Sequence, residues 1–147
     1  HKNKIILDIS HYPWNEELYK KIKQILKDSD IKYYFPQRNY FSLCFNPNNN
    51  NEEEYTYKKC SLKKYTMLNE GKLFHCPTAA YIKIFNETFN KNLEYENGID
   101  IYKNRAKTIT AYLNKPITSC KYCSFGTNKL KIISWQKSTN KEDEWNS

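Results

Sequence analysis

The chain is poor in glycine, with three in 147 residues, so each glycine is expected to hold a turn or a close approach that another residue would not tolerate. No apolar run approaches the roughly 18 residues that a membrane helix needs. The first residues contain no hydrophobic secretory core. They open inside an expected strand, as a segment of a longer chain would. The sequence also lacks G-x-S-x-G, a Walker loop and H-E-x-x-H, and no internal repeat is visible. Hydrolase, nucleotide-binding and zinc-protease readings therefore have no motif to stand on. Carboxylate pairs such as Glu16-Glu17 and Glu52-Glu53-Glu54 read as helix starts or solvated loop charge, and no catalytic residue is assigned.

Several features are abundant. There are 13 Tyr, 7 Phe and 3 Trp, and the formal charge is +8. A basic balance suits nucleic acid, an acidic partner or an anionic cofactor, although lysine is also the ordinary surface residue of a chain so rich in Asn, Lys, Ile and Tyr. Cysteines number five, an odd count, and two of them form C-x-x-C. An odd count with a C-x-x-C pair points to a reducing, cytoplasmic compartment and a metal rather than a disulfide framework.

The order of elements predicts an α/β chain, α+β overall. Lys4 to Ile9 reads as a strand buried on both faces. Asn15 caps a helix whose apolar stripe is Leu18, Ile22, Ile25 and Leu26. Ile31–Phe35 and Phe41–Phe45 read as further strands, and strand–helix–strand order implies parallel pairing. Asn46 to Glu54 is polar and of low complexity and reads as a linker, which places a domain boundary between 48 and 49. Beyond it, Tyr65–Leu68 and Lys72–His75 form a hairpin around Asn69-Glu70-Gly71. Thr78 caps a largely apolar helix, and another helix spans Lys103–Leu113, ending before Pro116.

The chemistry lies in the cysteines. Cys60 and Cys76 flank the hairpin, and Cys120-Lys121-Tyr122-Cys123 is a knuckle whose two thiolates point at one centre. Cys76 precedes a helix N-terminus, where the dipole favours a thiolate. Together Cys60, Cys76, Cys120 and Cys123 read as one metal-ligating set, most simply for an iron–sulfur cluster. Zinc remains the alternative metal, and spacing alone does not separate them. Filling the set with an oxidised four-iron core would leave the net charge at about +6. Cys44, in an apolar strand, reads as packing. His75 reads as an exposed hairpin residue, with a hydrogen bond to a cluster as its functional alternative. Ser10 and His11 close the first strand, where a barrel would keep its chemistry.

The pattern C-x10-G-x4-C, a gap of 43 residues, then C-x2-C resembles the SPASM and shorter twitch auxiliary domains of radical SAM enzymes. Gly71-Lys72-Leu73-Phe74-His75-Cys76-Pro77 is similar to their hairpin–cysteine–helix segment. Lys115-Pro116-Ile117 leading into the knuckle is similar to their closing segment, and Ser10-x-Tyr12-Pro13 to the end of a radical SAM barrel. The resemblance implies terminal βα units of a partial (β/α) barrel over residues 1–48. Residues 49–147 would then form a hairpin-plus-helix domain holding one auxiliary [4Fe-4S] cluster. The C-x3-C-x2-C motif that holds the S-adenosylmethionine-cleaving cluster is absent, so the chain alone would be inactive, and S-adenosylmethionine would bind only the full enzyme. The implied partners are the rest of the barrel and a peptide or small-molecule substrate, with no membrane. The competing reading is a zinc-stabilised basic module that binds nucleic acid. It is the weaker one, because no segment interleaves basic and aromatic residues as a binding motif.

Overall fold

A computed structural model describes residues 6–12, 15–29, 31–125 and 130–145. Within them lie β1 (Ile6–Asp8), α1 (Glu16–Lys27), β2 (Lys32–Tyr34), β3 (Tyr40–Leu43), α2 (Glu53–Lys59), β4 (Met67–Asn69) and β5 (Lys72–Phe74). They are followed by α3 (Pro77–Phe89), β6 (Ile99–Asp100), α4 (Ala106–Leu113), a 3-10 helix (Thr118–Tyr122), β7 (Lys131–Ser134) and a second 3-10 helix (Glu142–Trp145). The fold is mixed α/β with small sheets, none closed into a barrel among the described residues. Two compact units emerge: His1–Phe41 with Ile132–Lys137, and Ser42–Lys131 with Ser138–Ser147. The division falls seven residues before the expected 48/49 boundary.

In the first unit, β1 and β2 pair in parallel around α1, as the strand–helix–strand order predicts. Asn15 caps α1 by accepting the Leu18 N–H at 3.0 Å, and Glu16 and Glu17 occupy its first turn. The expected burial of β1 is not found. Ile6 is 55% exposed, and β1 has β2 as its one strand neighbour. The α1 stripe also differs, with Leu26 and Tyr19 buried while Ile25 is 69% exposed. Lys4 and Ile5 lie outside the described residues. His11 Nε2–H donates to Glu16 Oε1 at 3.0 Å, and its ring stands edge-on to Tyr19.

The second unit is organised by α3. Its Ile82 and Phe85 join Phe45 and Tyr122 in one buried cluster, with Phe89, Leu93 and Trp145 packed around them. Its Ala79 and Ala80 join Phe74 and Ile117 in another, where Cys76 and Cys120 also pack. Beside α3 stands the hairpin β4–β5, with Asn69 opposite Lys72. Its two-residue turn has positive φ at both Glu70 and Gly71, the I′ geometry that suits the twist of a hairpin. The sequence reading missed β6, which extends this sheet antiparallel to β5. Gly98 leads into β6 with φ of +64°, and a Cβ there would stand 2.8 Å from the Phe74 ring. Only glycine fits against that buried ring.

Two expectations fail here for identifiable reasons. Residues 53–59 are helical rather than linker, because three consecutive glutamates place acidic charge at a helix N-terminus, with Lys58 and Lys59 in the last turn. Thr78 does not cap α3. Pro77 takes the first helical position and makes the extended Cys76 the N-cap, without a side-chain cap bond.

Candidate metal centre

Three chain segments bring Cys60, Cys76, Cys120 and Cys123 into the second unit. Cys60 is the C-cap of α2. That helix packs on the 3-10 helix carrying Cys120, which draws the two cysteines together. Cys76 lies between the end of β5 and the start of α3, and α3 in turn packs on the same 3-10 helix. Cys123 closes the knuckle, its N–H donating to the Cys120 carbonyl at 3.1 Å. As the knuckle predicts, its sulfur accepts a backbone amide, that of Phe125, at 3.4 Å. Electrostatically the thiols form one group, since Cys76 experiences the charges of Cys120, Cys44 and Cys60, and Cys123 that of Cys76.

Burial dominates this group. It is the main cause raising both Cys76 and Cys120 to about 11, with neighbouring thiolates adding repulsion. At Cys76 a backbone hydrogen bond from Ala79, in the first turn of α3, opposes the rise without overcoming it. The expected stabilisation of the Cys76 thiolate by the helix N-terminus is therefore outweighed by desolvation. Metal binding at such thiols would release their protons.

Cys44, read as packing, lines an apolar cavity with Leu43, Phe45 and Phe85, and its strand runs beside the knuckle. Phe45 bridges Cys123, Ser124 N donates to the Cys44 carbonyl at 2.6 Å, and Asn46 N donates to the Tyr122 carbonyl at 2.8 Å. These bonds lay Cys44 beside the knuckle. A hydrogen bond from the Cys123 thiol lowers Cys44, assisted by the Thr78 hydroxyl 3.5 Å away, and the same shared proton raises Cys123.

Other supports were also invisible in the sequence. The asparagine-rich stretch read as a linker is the clamp of the knuckle. Asn49 Nδ2 donates to Ser124 Oγ at 2.9 Å, Asn51 Nδ2 to the Cys123 carbonyl at 2.9 Å, and Asn51 N to the Lys121 carbonyl at 3.0 Å. Glu96 caps the 3-10 helix from the other side. One carboxylate oxygen accepts the Thr118 N–H and the other the buried Ser119 hydroxyl at 2.8 Å. The pattern Glu96, then Thr118-Ser119 immediately before the knuckle, is the signal available in hindsight.

His75 is 6% exposed, not the exposed hairpin residue expected. Its Nε2–H donates to the Tyr112 carbonyl at 2.7 Å, and burial lowers its pKa. The Tyr112 hydroxyl and Thr56 Oγ1 are buried without a hydrogen-bond partner among the described residues. Tyr112 is held near 12 by burial and by the charges of Glu96 and Cys76, so its hydroxyl stays a proton donor close to the thiols. Ser10 and His11 belong to the first unit.

Among the described residues, no three His, Cys, Asp or Glu side chains converge tightly enough to hold a single ion. No family model matches the chain, and no curated protein matches it significantly.

Proposed function

We infer that Cys60, Cys76, Cys120 and Cys123 hold one [4Fe-4S] cluster, and that the chain is the auxiliary-cluster region of a radical SAM enzyme. The first unit would then belong to the end of that enzyme's barrel. The observation that supports this reading is the packing of α2, the β5–α3 junction and the knuckle on one another, which puts the segments carrying Cys60, Cys76, Cys120 and Cys123 in one part of the second unit. What supports a polynuclear core over a zinc ion is that no three of these side chains converge on one ion position among the described residues. Around tetrahedral zinc the sulfurs would stand about 3.8 Å apart. A cubane carries its four thiolates on separate irons and so holds them farther apart. A donor hydroxyl on Tyr112, and a hydrogen bond to the Cys123 sulfur from Phe125, suit a ligand shell that stabilises thiolate or sulfide.

When bound, such a cluster supplies a one-electron relay and an anchor close to the substrate. The chain's own residues hold the ligands. Glu96 and Asn51 fix the knuckle, α3 fixes Cys76, and the Phe85 cluster fixes the helix that carries it. Without C-x3-C-x2-C the chain generates no radical by itself, and it would act on a peptide or small-molecule substrate only with the rest of the barrel.

Serine substitution of each cysteine, followed by anaerobic reconstitution with iron and sulfide, tests this reading. Cys60→Ser, Cys76→Ser and Cys120→Ser should each lose most of the iron and sulfide that the wild-type chain binds. Full retention in any one of the three removes that residue from the set. Retention of bound zinc without sulfide in the wild type would replace the cluster by a zinc centre.

A further inference from the structure

An apolar cavity of about 200 Å³ lies in the second unit, and among the described residues none of the four expected cluster ligands lines it. Buried Phe45 and Phe85 line it from the core, and half-buried Tyr81 and Trp145 line it nearer the surface. One described lining residue is charged, and that is Glu144. We propose that this cavity binds an alkylammonium ion, with a short carbon chain against the aromatic rings and the cationic head at Glu144. Such binding is independent of the cluster reading above.

Size, wall and charge each select this guest. Drug-sized ligands occupy pockets of roughly 300–1,000 Å³, whereas an apolar cavity of about 150 Å³ takes up a single benzene. A guest of four to six heavy atoms therefore suits the space. The wall is formed before binding, because Phe45, Phe85 and Trp145 pack edge-on to one another with ring centroids 5.0, 6.3 and 5.5 Å apart. Aromatic faces attract a cation as well as an alkyl chain, tryptophan most strongly.

Glu144 supplies the opposite charge in a fixed position. Its Oε2 accepts the Ser138 hydroxyl at 2.5 Å, and its Oε1 accepts the Thr139 N–H at 2.8 Å and the Thr139 hydroxyl. A carboxylate has about four acceptor sites, so one remains for a guest. None of the ion pairs among the described residues includes Glu144. Lys141 acts on it less than the Ser138 and Thr139 donors do. Ser42 and Thr78 also line the cavity, and their hydroxyl oxygens can accept from the N–H groups of a primary ammonium. An anion would meet only repulsion there, and a neutral guest only the apolar wall.

The test titrates the chain with n-butylammonium, its neutral isostere 1-pentanol and the anion pentanoate, following the Trp145 indole N–H by NMR, assigned with Trp145→Phe. Butylammonium should shift that signal saturably, and pentanol should bind at least about threefold more weakly, with pentanoate weaker still. Glu144→Gln should weaken butylammonium at least about threefold and leave pentanol unchanged. Equal affinities for the amine and the alcohol in the wild type, or no saturable shift with the amine, overturn the proposal. So does unchanged amine affinity in Glu144→Gln. Pentanol reports whether the cavity survives in the variant; if it is lost there, the wild-type charge series decides alone. Nα-acetyl-lysine methylamide presents the same chain on a peptide backbone. Binding within about threefold of butylammonium assigns the cavity to lysine side chains, and weaker binding assigns it to free amines.

Discussion

Glu96 offers the sharpest structural prediction, because one carboxylate satisfies two donors at the start of the knuckle helix. In Glu96→Ala the Thr118 N–H and the Ser119 hydroxyl lose their acceptor, and Ser119 is only 2% exposed. Hydrogen bonds to a charged acceptor contribute about 1.5–3 kcal/mol each, and a buried donor left unpaired costs about 1–3 kcal/mol. Rotation of the hydroxyl toward water recovers part of this. The metal-free chain is therefore expected to lose about 2–4 kcal/mol, which for a chain of this size lowers the urea midpoint by roughly 1–2 M. Glu96→Gln should fall between, since its carbonyl serves one donor while its amide faces the other. Equilibrium urea unfolding followed by tryptophan fluorescence measures the loss. The control is Glu94→Ala, which removes only the exposed end of the ion pair with Lys121 and should leave the midpoint where it is. If Glu96→Ala unfolds at the wild-type midpoint, the capping argument is wrong, and with it the account of how Cys120 is held.

Phe85 is fully buried, with the rings of Phe45 and Phe89 each 5.0 Å away and Trp145 at 5.5 Å, so Phe85→Ala should cost about 3–5 kcal/mol in the same assay. Gly98→Ala meets the Phe74 ring at a positive φ and should cost at least about 1–2 kcal/mol of backbone strain, whereas alanine at exposed Asn97 should be nearly neutral. Glu144 is held at about 2, below its ordinary 4.5, chiefly by the Ser138 and Thr139 hydroxyls. A depressed carboxylate contributes stability above its unfolded pKa, and that contribution is lost as pH falls from about 4.5 towards 2. Acid titration by NMR should show the Glu144 carboxyl protonating well below its ordinary 4.5, and Ser138→Ala should move it upward.

Local rules made much of this fold legible. The Asn15 cap, the Asn69–Lys72 hairpin, the parallel β1–α1–β2 unit and the α4 helix each follow from residues within one or two turns of one another. What escaped is held by contacts that leave no periodicity. Asn49 and Asn51 bond to a knuckle more than 70 residues away, and Glu96 to one 22 residues away. A run of asparagines looks like a linker until its side-chain amides find carbonyls. Cys44 sits between the apolar Leu43 and Phe45, which line the cavity with it, and its thiol stands 3.5 Å from the Thr78 hydroxyl 34 residues away. Short strands such as β6 carry too few residues to show alternation.

The most direct measurement is the iron and acid-labile sulfide content of the anaerobically reconstituted wild-type chain, with zinc offered in competition. The account predicts roughly four irons and four sulfides per chain, with little zinc. One zinc per chain with no sulfide would contradict the cluster and leave only a thiolate metal site.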